Sequence, residues 1–508
     1  MRAILRHPGW GRAQVPAGSL VSALTWTPRG EVQRWAGQRR RASTASGGNV
    51  ADADHFDVVI LGAGSGGYAC ALRAAQLGLS VALVEKDKVG GTCLHVGCIP
   101  TKALLHAAEV ADAARESEQF GVKATLDGID MAGVNAYKDG VVQRLFKGLT
   151  GLINGRGITV VEGSGRLTSP TTVAVGDRTL TGKHVVLATG SYARTLPGLE
   201  IDGERVITSD QALTLDRVPA TAVVLGGGVI GCEFASVWSS FGTQVTIVEA
   251  LPRLMAAEDA DSSKQLERAF RKRKIKALTG APFQKVEHTE RGVVVHVEGA
   301  EPVEAEVLLV AVGRGPRTEG LGFEEAGVTV DRGFVPTDER LRTSVPGVFA
   351  VGDIVPGLQL AHRGFAHGIF VAEEIAGLNP APVRDAGIPR VTYSNPELAS
   401  VGLTEEQARA AHGDAVETLT YDLGGNGKSQ ILKTSGSVKL VRRQDGPVIG
   451  VHLVGARVGE LIGEAQLIFN WEAFPDDVAP LVHAHPTQNE ALGEAHLALA
   501  GKPLHAHS

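Results

Sequence analysis

The sequence predicts an α/β protein in which one strand–turn–helix–strand unit occurs twice, ahead of an α+β C-terminal portion. Two observations carry this. First, Gly62, Gly64, Gly67, Ala71, Gly78, Val81 and Glu85 all recur 164 positions later, as Gly226, Gly228, Gly231, Ala235, Gly242, Val245 and Glu249. Seven matches at one offset are hard to obtain by chance and mark an internal repeat. Second, residues 386–508 mix strand-like and helix-like stretches and contain no glycine-rich turn of that kind. At 508 residues the chain is too long for one hydrophobic core and suits three or four domains.

Taken in order, residues 1–49 hold eight Arg and one acidic residue, Glu31, with no helical or strand period. Such a composition suits a mitochondrial transit peptide, or an upstream extension outside the working protein. On either reading the segment is expected to be disordered. Asp57–Leu61 is a short apolar strand, and Gly62-Ala63-Gly64-Ser65-Gly66-Gly67 fits G-x-G-x-x-G. A helix to about Gly78 and a strand ending at Glu85 come next. In that context the glycines let backbone approach a pyrophosphate at a helix N-terminus, and the carboxylate accepts from a ribose hydroxyl. Ala222–Leu225, Gly226–Gly231 and the strand ending at Glu249 repeat the pattern, so both units read as Rossmann-like dinucleotide-binding domains.

Between them lie helices near 102–117 and 131–153 and a β-rich return that ends in a buried strand and Thr189-Gly190-Ser191. The basic run Arg268–Lys274 closes a helix, where cations complement the helix dipole. Strand 306–312 runs into Gly313-Arg314-Gly315-Pro316, strand 348–351 ends at Gly352-Asp353, and a helix begins at Ala361-His362. The linker Asn379-Pro380-Ala381-Pro382 marks a boundary. Beyond it, strands are expected around 390–402, 436–442 and 447–454, and helices around 458–473 and 487–500.

Composition narrows the function classes. Hydrophobic content is 43%, charged content 21% and net charge −6. Those are ordinary values for a soluble globular protein and suggest no nucleic-acid partner. No apolar run approaches the roughly 18 residues that span a membrane, so no membrane partner is expected. Four cysteines in so long a chain argue against a secreted disulfide scaffold. No Cys/His cluster completes a zinc site, and no metal is expected.

Two stretches carry the chemistry. Gly90-Gly91-Thr92-Cys93-Leu94-His95-Val96-Gly97-Cys98-Ile99-Pro100-Thr101-Lys102 holds two cysteines with four residues between them. Such a pair is either two small buried residues or a disulfide ring, closed if the Cα atoms come within about 4.4–6.8 Å. The glycines favour tight turns, Pro100 suits the first turn of a helix, and Lys102 on the helical face of Cys98 would favour a thiolate. In His483-Ala484-His485-Pro486-Thr487-Gln488-Asn489-Glu490, Pro486 takes His485 out of helical angles. Thr487-x-x-Glu490 also fits a capping box.

On these residues the chain resembles the class I flavoprotein pyridine nucleotide–disulfide oxidoreductases, and among them the dihydrolipoamide dehydrogenases. Gly90–Lys102 resembles the family's redox-active disulfide, Thr189-Gly190-Ser191 its second flavin motif, Gly313–Pro316 the turn beside the nicotinamide, and His485–Glu490 its H-P-T-x-x-E motif. The resemblance implies FAD in the first unit, held by Gly62, Gly64, Gly67, Glu85, Gly91, Thr92, Lys102, Thr189, Gly190, Asp353 and Ala361. It implies NAD in the second, held by Gly226, Gly228, Gly231, Glu249, Gly313 and Arg314. Cys93 would meet the substrate dithiol and Cys98 would become the flavin-facing thiolate. Lys102 would sit by the flavin, paired with Glu233. His485 would be the acid/base, Glu490 its orienting carboxylate and His483 a supporting residue. The implied domains are 50–193 for FAD with the disulfide, 194–316 for NAD, 317–385 completing the FAD site, and 386–508 for dimerisation. In a homodimer, His485 would reach the disulfide of the other subunit.

The implied substrate is dihydrolipoamide on the swinging arm of a lipoylated acyltransferase (E2) in a 2-oxo acid dehydrogenase complex. Glu249, followed by Ala250-Leu251-Pro252, repels a 2′-phosphate and favours NAD over NADP, with Arg253 the nearby counter-indication. No Cys follows Cys232, which argues against the large thioredoxin reductases and the mercuric reductases. Cys70 and Cys232 read as packing residues. The alternatives are an NAD(P)H-dependent reductase of a glutathione- or mycothione-type disulfide, and a non-catalytic dinucleotide-binding subunit. The intact Cys93, Cys98, His485 and Glu490 argue against the second. The expected location is a bacterial cytoplasm, or the mitochondrial matrix if residues 1–49 are a transit peptide.

Overall fold

The computed structural model describes residues 54–505; the expectation for residues 1–49 lies outside them. Apolar, β-branched runs build the centres of two parallel sheets. Val58, Val59 and Ile60 are fully buried, with Val81–Val84 on one side and Val185–Leu187 on the other. The first sheet runs Thr159–Glu162, Val81–Glu85, His55–Leu61, Arg178–Leu187, Thr172–Val175 and Gly165–Ser169. Its first four strands are parallel and the remaining pairings antiparallel. Val348–Ala350 joins it, parallel to Val185–Leu187, so a segment far along the chain completes the first unit's sheet. Continuous apolar strands of this kind suit a parallel sheet covered on both faces. Helix Ser65–Gln76 packs on helix Ala361–Ile375 with backbones almost touching: a Cβ on Gly368 would lie 2.2 Å from the Gly66 carbonyl oxygen.

The second sheet runs Lys276–Thr279, Gln244–Glu249, Thr221–Leu225, Val307–Val310 and Val206–Ile207, all parallel. A three-stranded antiparallel sheet, Phe283–His288, Val293–Val297 and Val303–Ala305, interrupts it in sequence. Ser191–Ala193 pairs with Arg314–Pro316 where the chain passes between the two units in each direction.

The C-terminal portion is a five-stranded antiparallel sheet in the order Arg390–Thr392, Glu397–Gly402, Val448–Gly455, Ser437–Arg443, Val416–Asp422. Helices Val458–Asn470 and Glu490–Leu499 contribute to its apolar core. The edge strand Val416–Asp422 escapes the sequence reading because only Val416 and Tyr421 of its seven residues are buried. The last helix starts at Glu490, three residues later than expected, because Thr487 and Gln488 remain in the turn. Charges tie this sheet to the second unit. Arg390 meets Glu258 at 3.0 Å, and Lys439 meets Asp259 at 2.9 Å and Asp261 at 2.7 Å. Buried ions are tolerated only when paired in this way.

Candidate active site

The two glycine turns are copies down to individual hydrogen bonds. Gly62 and Gly226 have φ of 104° and 111°, open to glycine at little cost. A Cβ on Gly67 would lie 1.8 Å from the Gly62 carbonyl oxygen, and one on Gly231 1.9 Å from that of Gly226. Glu85 accepts from the backbone N–H of Ala63 (2.8 Å) and Asp87 (3.0 Å); Glu249 accepts from Gly227 (2.6 Å) and Leu251 (2.7 Å). The helices Ser65–Gln76 and Val229–Phe241 start at Gly64 and Gly228, and no side chain caps either. Nothing lies within 4 Å of a Cβ built on Gly64 or Gly228. Uncapped first-turn N–H groups with open space before them suit a phosphate oxygen. Both turns therefore fit a dinucleotide. Arg253 does not reach towards Glu249: its guanidinium donates to the carbonyls of Ala256 and Glu258 and lies 3.8 Å from Glu406.

The cysteine segment lies against the first turn. Gly91 (φ 57°) approaches so closely that a Cβ would stand 2.7 Å from Gly64 Cα. Cys93 falls in the short helix Gly91–His95, and Cys98 opens helix Cys98–Arg115. Both are free thiols. Cys98 is lowered to about 7, first by the hydrogen bond from Cys93 and, against the cost of burial, by the Lys102 charge. Cys93 is pushed up by that same bond, by burial and by the charge on Cys98. Of the two sulfurs, Cys98 is therefore the one on which the thiolate is favoured. Lys102 Nζ donates to both oxygens of Glu233 at 2.9 Å and sits 4.8 Å from the centre of the Tyr393 ring. Burial pulls the Lys102 ammonium down, but Glu233 outweighs it and the net shift is upward. Glu233 is almost fully buried and also accepts the Tyr393 N–H at 3.0 Å.

Arg314 joins three distant segments of the chain. Its Nε donates to Ser191 Oγ (2.7 Å), which donates to Asp353 Oδ2 (2.5 Å), and its Nη2 lies 3.5 Å from Thr92 Oγ1. Thr189 Oγ1 donates to the Arg317 carbonyl at 2.5 Å, and Gly190 and Gly313 take φ of 71° and 101°. Ala361 is the first residue of its helix. Sequence reasoning singled out neither Tyr393 nor Ser191 as a site residue. Tyr393 lies 160 positions from Glu233 and carries no local signal, whereas Ser191 ends a motif already recognised.

His485 and Glu490 form a second cluster. His485 Nδ1 meets Glu490 Oε1 at 2.8 Å, and Glu490 Oε2 accepts the Thr487 N–H at 2.7 Å. Half of the capping-box expectation is present, the Thr487 N–H on Glu490; the other half is corrected, since the Thr487 hydroxyl donates to the Ala484 carbonyl and the helix starts after Asn489. The second carboxylate oxygen of Glu490 is thus left free for His485. Burial pushes Glu490 up, but the Thr487 N–H and His485 together hold it below the usual carboxylate range. The His485 side chain is 78% exposed. Among the described residues no hydrogen bond or ion pair joins this cluster to the cysteine cluster. Cys70 and Cys232 are both fully buried.

This fold and this pair of clusters define a class. Residues 56–368 match the family model for pyridine nucleotide-disulphide oxidoreductases, and residues 388–496 its dimerisation domain. The chain is 41% identical over 473 residues to a dihydrolipoyl dehydrogenase of Bacillus subtilis, covering 89% of this chain and all of the relative. It is 39% identical to the mitochondrial dihydrolipoyl dehydrogenase 1 of Arabidopsis thaliana, covering 89% and 92%. Among solved structures it is similar to LpdA of Mycobacterium tuberculosis (TM-score 0.81, 27% identity, 88% and 99% covered). It is also similar to the HOCl-induced flavoprotein disulfide reductase RclA of Escherichia coli in its Cu(II) complex (TM-score 0.80, 27% identity, 88% and 100% covered). The chain belongs to the dihydrolipoyl dehydrogenase family of flavoprotein disulfide oxidoreductases, which use FAD and NAD.

Proposed function

We propose that this chain oxidises protein-bound dihydrolipoamide to lipoamide and reduces NAD to NADH, as the E3 component of 2-oxo acid dehydrogenase complexes. The observation that carries this reading is the Cys93–Cys98 pair, its segment pressed on the first glycine turn at Gly91 and its second helix carrying Lys102, which is paired with the buried Glu233. The first turn, with Asp353 and Ala361, would hold FAD; the second, with Glu249, would hold NAD. When bound, these groups take the electron pair of the reduced cysteines and deliver it to the nicotinamide as hydride.

The rest of the chemistry belongs to the chain's own residues. With the cysteines as a disulfide, one substrate thiolate attacks Cys93 Sγ. A mixed disulfide forms, the Cys93–Cys98 bond breaks, and Cys98 leaves as a thiolate stabilised by Lys102. The second substrate thiol then attacks the substrate sulfur of the mixed disulfide, closing the lipoyl ring and releasing Cys93. His485, held in one tautomer by Glu490, takes the proton of the first attacking thiol, and the proton of the second passes to Cys93 as that sulfur is released. In a homodimer that His485 would come from the second subunit, a reading that rests on the family resemblance; among the described residues no hydrogen bond or ion pair joins the two clusters within one chain. The Glu249 carboxylate, with Arg253 engaged elsewhere, favours a 2′-hydroxyl over a 2′-phosphate.

The proposed partner is a lipoylated acyltransferase. The relatives of Arabidopsis thaliana and Pisum sativum are named as mitochondrial, and among the described residues no helix is long and apolar enough to cross a membrane. We place the reaction in a bacterial cytoplasm, or in the mitochondrial matrix if residues 1–49 are a transit peptide. A steady-state comparison tests the reading: dihydrolipoamide with NAD against NADPH with glutathione- and mycothione-type disulfides. Turnover is expected only in the first; turnover only in the second would replace the reading with that of a low-molecular-weight disulfide reductase.

A further inference from the structure

An acid/base that is 78% exposed is not oriented by packing, and among the described residues His485 has one side-chain hydrogen bond, to Glu490. Something else must hold the turn that carries both residues. Glu464, in the middle of helix Val458–Asn470, meets that turn at both ends. One of its oxygens accepts from His483 Nε2 at 2.8 Å and the other from Asn489 Nδ2. His483 is two residues before His485, and Asn489 is the residue before Glu490. The turn is closed from behind as well. Asn426 Nδ2 donates to the Thr487 carbonyl at 3.0 Å, and Gly493 leaves room for the His483 ring, since a Cβ there would stand 2.5 Å from His483 Nδ1.

We propose that Glu464 is a positioning residue for the reaction: one carboxylate that grips both ends of the 483–490 turn and so fixes the direction of the His485–Glu490 pair. The inference rests on the function proposed above. Its physical basis is that a carboxylate accepting two bonds in a half-buried place holds two points of a chain at a fixed separation, and charge-assisted bonds are the strong ones. Glu464 also favours the protonated form of His483, which in turn favours the charged form of Glu490. A glutamine at 464 has one acceptor oxygen and no charge, so it can accept from only one of the two donors and grips the turn less firmly.

The test measures two activities of the same flavoprotein dimers. Glu464→Ala is expected to lower kcat for dihydrolipoamide oxidation by roughly 10–100-fold, the scale of a misaligned acid/base, with KM for dihydrolipoamide within about twofold. Glu464→Gln should fall between Ala and wild type. In both variants the FAD content, the sedimentation of the dimer and the NADH-driven reduction of ferricyanide, which needs no proton acceptor at the disulfide, should stay within about twofold of wild type. Unchanged kcat in both variants would overturn the proposal. So would parallel loss of both activities, or a monomeric product, in the Gln variant as well as the Ala variant, since Glu464 would then be a fold or assembly residue. Wild type that fails to oxidise dihydrolipoamide would instead bring down the functional reading, and this inference with it.

Discussion

The two glycine turns are the same device put to two uses. Gly62–Glu85 and Gly226–Glu249 share their positive-φ glycines, their close approaches and the pair of backbone N–H groups on each carboxylate. They differ in the segment that leaves each carboxylate. After Glu85 the chain doubles back, sets Gly91 on Gly64 and presents Cys93 and Cys98. After Glu249 it also returns to its turn, Met255 N–H donating to the Gly227 carbonyl at 2.8 Å, but it carries no cysteine there, and Arg253, Glu258 and Asp259 then tie it to the C-terminal portion. The turn makes a dinucleotide site; the segment behind it decides whether thiol chemistry is attached. Charge obeys the same division, with Lys102 and Glu233 spanning from the cysteine helix to the helix of the second turn.

Substitutions can probe this contrast, and the largest effect is expected from the cysteines. Cys93→Ser and Cys98→Ser should each lower dithiol oxidation by on the order of 10⁴-fold or more, as removal of a covalent nucleophile does, and spare NADH-driven ferricyanide reduction. Steady-state rates with each substrate pair would show it. Next are the two glycines at matching places. Gly67→Ala should cost FAD content, and Gly231→Ala should cost NAD affinity while FAD stays bound, because each added methyl group meets a carbonyl oxygen of its own turn. Flavin absorbance and nicotinamide titration separate the two outcomes, and loss of FAD in both would deny the division. Glu249→Ala should lower the preference for NAD over NADP by roughly 1–3 kcal/mol, the worth of a charged hydrogen bond, and Glu85→Ala should leave that preference alone.

The smallest effect is a titration. With Cys98 lowered to about 7, the thiolate forms as pH rises through that value and is lost below it. The ultraviolet thiolate absorbance that distinguishes the reduced wild type from reduced Cys98→Ser should appear near pH 7. Its appearance only above pH 9 would remove the thiolate from Cys98.

Much of this was legible in the residues. Glycines in steric contact cannot vary quietly, so Gly62, Gly67, Gly226 and Gly231 announce both turns, and continuous Val/Ile/Leu runs announce parallel strands. What stayed hidden was what depends on residues far apart meeting in space. Glu464 lies near position 483 only because helix Val458–Asn470 runs back along the turn, and Ser191 matters only because Arg314 and Asp353 arrive on either side of it. The edge strand Val416–Asp422 hid for another reason: only Val416 and Tyr421 of its seven residues are buried, too few to show a pattern.

The division between the two turns can be put to one direct test: anaerobic reduction of the bound flavin from each side in Cys93→Ser. NADH should bleach the flavin at close to the wild-type rate, because the second turn and its cofactor are untouched, while dihydrolipoamide should leave it oxidised. Bleaching by dihydrolipoamide, or loss of bleaching by NADH, would contradict a path in which the thiol chemistry sits wholly behind the first turn.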